Sequence, residues 1–305
     1  MTTAAGAPDV IEPPVWYGPL REPSWLVPRV RDDAPRVMVC AEAWGEQPVD
    51  GPGRDLRLGL PMYLAEAIRF GTDARAVSMA GPVGGAHPIP GAGIVVRTAV
   101  APDGDASVRV RMLDGSGAVL DEIVREARDA AALGDALAGL PRACTDALAR
   151  AGVRPIWNSL YTLPPGASLV AYVRGLRACR RITEEALPTT ADAAAVAERR
   201  DDVRSTLTAL GSLATSTTEA FPALLFFGGV LAAYDVGAPM VGEFRLPVNS
   251  RSTTATQPFD PVFAMSALAL RIFGDRATSD RRLSALQAAN GVGMQAWIDV
   301  VRTVA

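Results

Sequence analysis

The feature that most constrains the fold of this chain is a run of three strand-like segments joined by two short turns. The segments cover residues 93–100, 107–113 and 119–126. The turns contain PDGD, beginning at Pro102, and DGSG, beginning at Asp114. Turn sequences of this kind between β-rich segments are typical of antiparallel hairpins. The pattern therefore predicts a β-meander.

The middle segment also predicts which side of that meander faces the core. Three apolar residues alternate with two arginines, in the order Val108, Arg109, Val110, Arg111 and Met112. Because successive side chains of a strand point to opposite faces, this alternation places one face on a core and the other in water.

The flanking sequence extends the meander into an α/β domain. Residues 36–44, RVMVCAEAW, and residues 74–79 favour strands, and leucines at helical spacing predict a helix over residues 54–70. A second helix is predicted over residues 130–151. Its buried stripe is formed by Leu133, Leu137, Leu140, Cys144 and Leu148.

Beyond residue 166 helical periods replace the strand pattern. Candidate helices cover residues 168–187, 191–213, 217–234, 261–273, 279–290 and 293–304, with a long loop over residues 235–259. Consecutive helices with short connections indicate a repeat-like array of hairpins. The most apolar stretch, residues 221–233, is too short to span a membrane and contains Pro222, so we expect a buried core helix and no membrane span.

The predicted fold class is therefore α+β, with a small mixed α/β sheet domain containing a β-meander, followed by an all-α helical-hairpin domain. The predicted boundaries are a Pro-rich extended arm at 1–35, the sheet domain at 36–155 and the helical domain at 156–305. Seven prolines lie in the arm among Trp16, Tyr17 and Trp25. These aromatic residues are candidates for binding a partner, and the alternative is that the arm covers a hydrophobic groove of its own domain.

Composition excludes several catalytic classes. All 30 basic residues are arginine, so a lysine Schiff base and a phosphate-loop lysine are ruled out. His87 is the single histidine, and Cys40, Cys144 and Cys179 form no CxxC pair. We therefore expect no catalytic, cofactor-binding or metal-binding residues and no cofactor.

Charge argues against a nucleic-acid partner. The net charge of −3 provides no attraction of the whole molecule to phosphates. Arg174, Arg177 and Arg181 recur on one helical face and are candidates for binding an acidic partner or an anion. The alternative is a solvated face paired with neighbouring acidic residues such as Glu184.

Two stretches carry a resemblance to a known family. VVRTAVAPDGDASVRVRMLDGSGAVLDEIV, residues 95–124, and ASLVAYVRGLRACRRITEEAL, residues 167–187, are the relevant sequences. The region 36–151 resembles the TolB-like amino-terminal domain that precedes tetratricopeptide arrays in bacterial regulatory proteins. Ala171, Tyr172, Arg174 and Gly175 carry the likeness in the second stretch. The remaining helical region departs from the tetratricopeptide pattern.

The resemblance implies a scaffold or sensor module without catalytic residues. We therefore expect a protein-binding adaptor rather than an enzyme, with a protein partner and with a homo-oligomer left open. The amino terminus lacks the pattern of a secretory signal, so we expect a cytoplasmic bacterial protein. The alternative is a small-molecule receptor or enzyme that uses the Gly-rich loop around His87, or a carboxylate pair formed by Glu42 and Glu46.

Overall fold

The computed structural model describes most of the chain and divides it into two compact units. The described residues are 10–16, 25–26, 30–42, 52–79, 92–100, 106–156, 158–184, 193–245, 248 and 260–304. The sheet unit comprises Met1–Pro14, Arg29–Tyr161 and Pro165–Arg177. The helical unit comprises Val15–Pro28, Thr162–Pro164 and Ala178–Ala305.

A six-stranded mixed sheet organises the first unit and confirms the predicted fold class. Its strands are β1 (Val10–Ile11), β2 (Arg36–Ala41), β3 (Arg75–Met79), β4 (Ala92–Val100), β5 (Ala106–Leu113) and β6 (Val119–Ala127). The spatial order is β1-β3-β2-β4-β5-β6. Strand β2 is parallel to both of its neighbours, and the other pairs are antiparallel. The meander of β4, β5 and β6 is the predicted one.

Helices cover one face of this sheet. They are α1 (Pro52–Gly71), α2 (Ala130–Ala138) and α3 (Leu140–Arg150), with α1 against β2, β3 and β4 and with α3 against β5. The helix-facing side chains of the sheet are fully buried and include Val39, Ile94, Val108, Val110 and Met112. Their burial supplies the hydrophobic stabilisation of the unit and leaves the alternate residues of each strand on the other face.

The prediction of one continuous helix over residues 130–151 is wrong. The helix breaks at Gly139, and α3 starts again at Leu140 with Pro141 in its first turn. Proline has no N–H to donate to the carbonyl four residues earlier, and its ring would clash with that carbonyl. The Leu137 carbonyl instead accepts a hydrogen bond from the Tyr63 hydroxyl at 3.2 Å. The buried stripe is as predicted.

The arm contains a strand that its composition did not predict. Val10 and Ile11 form β1, antiparallel to β3, and Ile11 is buried. The Glu12 carboxylate pairs with the Arg75 guanidinium on β3. A two-residue strand is too short to show an alternation in sequence, so only its pairing with β3 identifies it.

The second unit is helical. Its helices are the end of α4 (Gly166–Glu184), α5 (Ala193–Ser216), α6 (Ala220–Asp235), α7 (Pro261–Ile272), α8 (Arg276–Asn290) and α9 (Gln295–Thr303). Successive helices pack as neighbours, α5 on α6, α6 on α7 and α7 on α8. Within α4, residues through Arg177 belong to the sheet unit and residues from Ala178 to the helical unit.

Helix α6 forms the centre of the helical unit. Its residues from Phe221 to Ala233 are all buried, which matches the predicted core helix. In the part of the chain that the structure describes, no helix combines the length and apolar character needed to cross a bilayer. The predicted loop over residues 235–259 is partly wrong, because Pro239–Phe244 form a 3-10 helix that buries Met240, Val241 and Phe244.

Candidate functional site

The sheet face opposite the helices presents arginine and aliphatic side chains together, and we call it the outer face. It is formed by Val95 and Arg97 of β4, Arg109 and Arg111 of β5, and Glu122 and Val124 of β6. Val124 is 42% exposed, although it is aliphatic. The meander positions these side chains on a backbone held by the β4–β5 and β5–β6 hydrogen-bonded ladders.

The centre of the outer face opposes two like charges. Arg97 and Arg109 are directly paired across β4 and β5, and Val124 follows Arg109 on the next strand. Like charges directly opposite each other across a sheet are destabilising. The side chains of Arg97 and Arg109 are each 47% exposed, so both are accessible to another molecule.

Two carboxylates partly neutralise this charge. Glu42 accepts a 2.6 Å bond from Arg111 and lies 4.0 Å from Arg97, while Glu122 lies 3.6 Å from Arg109. Of these three contacts, the 2.6 Å contact between Arg111 and Glu42 is the one within hydrogen-bonding distance. Three guanidinium groups therefore meet these two carboxylates at the centre of the outer face, and Glu126 adds a third carboxylate on the same side of β6.

A second polar cluster lies inside the sheet unit around Glu66 of α1. The Glu66 carboxyl is 1% exposed and accepts hydrogen bonds from the hydroxyls of Tyr172 at 2.6 Å and Tyr161 at 3.4 Å. Its Oε2 is buried and has no hydrogen-bond partner among the described residues. Phe70, one helical turn farther along, stacks on Tyr161 with ring centroids 5.0 Å apart.

Burial controls the protonation of this cluster. It raises the pKa of Glu66 to about 8, although the two tyrosine hydroxyls act in the opposite direction. The pKa of Tyr161 is raised well above its ordinary value by burial and by the Glu66 charge. A neutral carboxyl that no solvent reaches holds α1, α4 and the segment at residue 161 together, and the arrangement gives a substrate no access to the carboxyl.

The three cysteines are buried and reduced. Burial raises the pKa of the Cys40 thiol to about 11 and of the Cys144 and Cys179 thiols to about 12. Thiolates are the reactive form, so these residues act as small core side chains.

The aromatic residues suggested as partner-binding lie inside the helical unit where they are described. Trp16 has no exposed surface and meets Phe221 edge to face with centroids 5.6 Å apart. A Cβ on Gly228 would lie 2.4 Å from the Trp16 Cβ and 3.0 Å from its Cα, so the close approach of Trp16 requires a glycine there. Trp25 meets Trp297 at 5.8 Å. Trp16 and Trp25 therefore pack against residues of the helical unit, to which both belong, and Tyr17 lies outside the described residues.

The three arginines of α4 differ in their surroundings. Arg174 is half-buried, Arg177 is buried, and Arg181 donates to the Asp202 carboxylate at 2.7 Å. Arg199 bonds the same carboxylate at 2.6 Å and also the Arg181 carbonyl. The carboxylate partner of Arg181 therefore lies on α5 and not among the acidic residues next to it in sequence.

The remaining sequence candidates do not form a site in the described chain. His87 and Glu46 lie outside the described residues, and so do Asp103 and Asp105 of the predicted PDGD turn. Asp114 accepts bonds from the backbone of Ser116 and Ala118, which is the turn chemistry expected of it. The described residues contain no group of three or more His, Cys, Asp or Glu side chains that could hold a metal ion.

The sequence identified Arg109 and Arg111 as solvent-facing but missed their neighbours. Arg97 joins them through the β4–β5 register, and Glu42 joins them because β2 lies beside β4. The hairpin turn was a usable signal, since counting outward from it pairs Arg97 with Arg109. Comparison of the sequence with protein-family models and with curated proteins finds no match to either.

Proposed function

We propose that this chain is a non-catalytic protein-binding module, of the adaptor or scaffold kind, that docks an acidic segment of a partner on its outer face. The observation that carries the proposal is the direct opposition of Arg97 and Arg109 on an exposed face of the sheet. A carboxylate placed between these two guanidinium groups would relieve their repulsion.

The composition of the face supports a protein ligand in particular. Arginine is enriched in protein interfaces, where its guanidinium pairs with carboxylates and its stem covers apolar surface. Val95 and Val124 lie beside the two arginines and offer aliphatic contact. An acidic strand or loop that carries one or two aliphatic residues complements this surface.

The reduced cysteines support a cytoplasmic setting for the module. All three thiols are free and buried, which suits a reducing compartment. The proposal therefore places the module in a bacterial cytoplasmic assembly, with its partner in the same compartment.

A charge-neutralising double variant tests this proposal. Arg97→Gln/Arg109→Gln removes the opposed charges without introducing new ones, so the melting temperature should stay the same or rise. Pull-down from lysate of the source cells should yield a stoichiometric partner with the wild-type chain, and the variant should retain less than a tenth of it. Raising the salt concentration should weaken capture by the wild type.

The matched control removes two exposed arginines from elsewhere in the sheet unit. Arg128→Gln/Arg142→Gln makes the same change in net charge and should bind the partner as the wild type does. Equal capture by both double variants would show that the outer face is not the docking surface, and the proposal would then be wrong.

A further inference from the structure

In the part of the chain that the structure describes, strand β6 forms one edge of the sheet. It ends the strand order, and most of its side chains are exposed, among them Glu122, Val124 and Arg125. Its pairing with β5 is regular from Asp121 to Ala127, after a register shift that leaves Leu120 without an opposite residue. An edge strand of this length presents backbone groups that can pair with another strand.

The edge groups of β6 are identified by two side-chain hydrogen bonds. The Glu122 N–H donates to Asp121 Oδ1 at 2.9 Å, and the Val124 carbonyl accepts from the Arg125 guanidinium at 2.9 Å. The N–H and C=O of one residue in an antiparallel strand point to the same side. The even-numbered residues therefore direct their backbone groups to the open edge, where neighbouring side chains bond the Glu122 N–H and the Val124 carbonyl.

We propose that β6 pairs antiparallel with β6 of a second copy of this chain, about a two-fold axis through Ile123, and joins the two sheets edge to edge. In this register Glu122 faces Val124 of the second copy, and these two residues exchange backbone hydrogen bonds. Two of the groups that pair, the Glu122 N–H and the Val124 carbonyl, are bonded by Asp121 and Arg125 in a single copy.

Charge selects this register. In the dimer the Asp121 side chain gives up its bond to the Glu122 N–H, which then pairs with the second copy. With the axis at Ile123, Asp121 lies opposite Arg125 of the second copy, and the symmetry forms this pair twice. Opposite charges across neighbouring strands stabilise a sheet. Ile123 lies opposite its own copy on the helix-facing side, where it adds apolar contact.

The neighbouring registers oppose like charges instead. A two-fold axis perpendicular to the sheet keeps each side chain on its own face, and residues directly opposite each other must share a face. The axis must therefore lie midway between one residue and the same residue of the second copy. Placing the axis at Asp121, Glu122 or Arg125 sets that residue against its own copy. Placing it at Val124 sets Glu122 against Glu126 twice. Among the five residues from Asp121 to Arg125, Ile123 is the single position of the axis at which no like charges lie directly opposite each other.

Charge reversal tests the pairing in solution. Sedimentation velocity over a range of concentrations should show a reversible monomer–dimer equilibrium for the wild-type chain. Asp121→Arg or Arg125→Asp alone should weaken dimerisation tenfold or more, because each produces two like-charge contacts. The double variant Asp121→Arg/Arg125→Asp should restore it, because the opposite charges are exchanged.

A control separates this effect from the contact that Asp121 makes within one copy. Arg150 donates to Asp121 at 2.7 Å, so Arg150→Gln removes that bond without touching the edge. This variant should dimerise as the wild type does. A wild-type chain that stays monomeric at every concentration, or a dimer that ignores both charge reversals, would overturn the proposal.

Disulfide trapping tests the position of the axis. Ile123 would lie opposite its own copy in a non-hydrogen-bonded pair, with Cα atoms about 4.5 Å apart, which permits a disulfide. Ile123→Cys should therefore form a covalent dimer faster than Val124→Cys, although Val124 is 42% exposed and Ile123 only 9%. The native cysteines are buried and do not interfere. Equal or faster trapping through position 124 would refute the register.

This inference is independent of the proposed function. The dimer uses the edge of β6, whereas partner docking uses Arg97 and Arg109 on the outer face. Arg97→Gln/Arg109→Gln should lose the partner and still dimerise, and Asp121→Arg should do the reverse. Failure of one proposal therefore leaves the other measurable.

Discussion

The buried side chain of Glu66 makes the stability of the sheet unit depend on pH. Its carboxyl lies in the core, bonded to the hydroxyls of Tyr172 and Tyr161, and its pKa is raised to about 8 by burial. Tyr63 lies on the same helix, and its own hydroxyl bonds the Leu137 carbonyl. The polar groups that bond Glu66 are therefore neutral hydroxyls, and among the described residues no cation acts on its pKa.

The pH dependence of stability follows from this shift. The folded chain holds a proton on Glu66 that the unfolded chain releases above its ordinary pKa of 4.5. The stabilisation that the folded chain gains by keeping Glu66 protonated is complete below pH 4.5. The free energy of unfolding then falls by up to about 1.4 kcal/mol per pH unit as the pH rises towards 8. Glu66→Gln should flatten that dependence and be the more stable chain at pH 8.

Urea unfolding at several values from pH 5 to pH 8 measures the effect. Glu122→Gln, an exposed change of the same chemistry, is the control and should keep the wild-type pH dependence. If Glu66→Gln retained the wild-type slope, the buried carboxyl would not be the titrating group.

Asp260 shows how an element is fixed by its first residue. This residue precedes α7, and its Oδ1 accepts bonds from the N–H groups of Val262 and Phe263. Pro261 occupies the first helical position, where its missing N–H costs nothing. The sequence signal was readable, because Asp followed by Pro before an apolar run is a helix start. The predicted start at Pro261 is confirmed.

Removal of this cap should weaken α7. Asp260→Ala leaves two N–H groups without their acceptor and should lower the free energy of unfolding by about 1 kcal/mol. Asp260→Asn keeps an acceptor oxygen and should cost much less. Thermal melting of the two variants side by side gives the comparison, and an equal loss in both would indicate that charge rather than capping matters.

At the scale of the whole molecule, the described parts of the 1–35 arm contribute to the core of each unit. Ile11 is buried in the sheet unit, and Trp16 and Leu26 are buried in the helical unit. Aromatic side chains contribute much buried area for little loss of conformational entropy. The arm is therefore an integral part of each unit in which it is described.

Truncation should reveal both contributions. Trp16→Ala should lower the free energy of unfolding by about 3–5 kcal/mol. Deletion of residues 1–35 should lower it further, because the deletion also removes Ile11 and Trp25 from their packing. Val10→Ala, at a 48% exposed position of the same arm, is the control and should change stability by less than about 0.5 kcal/mol. An unchanged melting temperature after deletion would contradict this account.

The sequence by itself determined the features that depend on near neighbours in the chain. Asp114 and its glycines specify a turn, the alternation around Arg109 specifies a strand face, and Asp260 specifies a helix start. Each of these depends on a few consecutive residues whose backbone preferences and hydrogen bonds are local.

Tertiary structure decided what depends on residues that are distant in sequence. The burial of Glu66 requires α4 to supply Tyr172 from more than a hundred residues away. The pairing of Val10 and Ile11 with β3, and the closure of Trp16 on Gly228, likewise have no local signal. The partial neutralisation of the arginines on the outer face likewise depends on β2, which brings Glu42 beside β4 and its neighbour β5. These contacts are set by tertiary packing. The local conformational preference of a residue does not depend on which distant residues pack against it, so the sequence carried no signal for them.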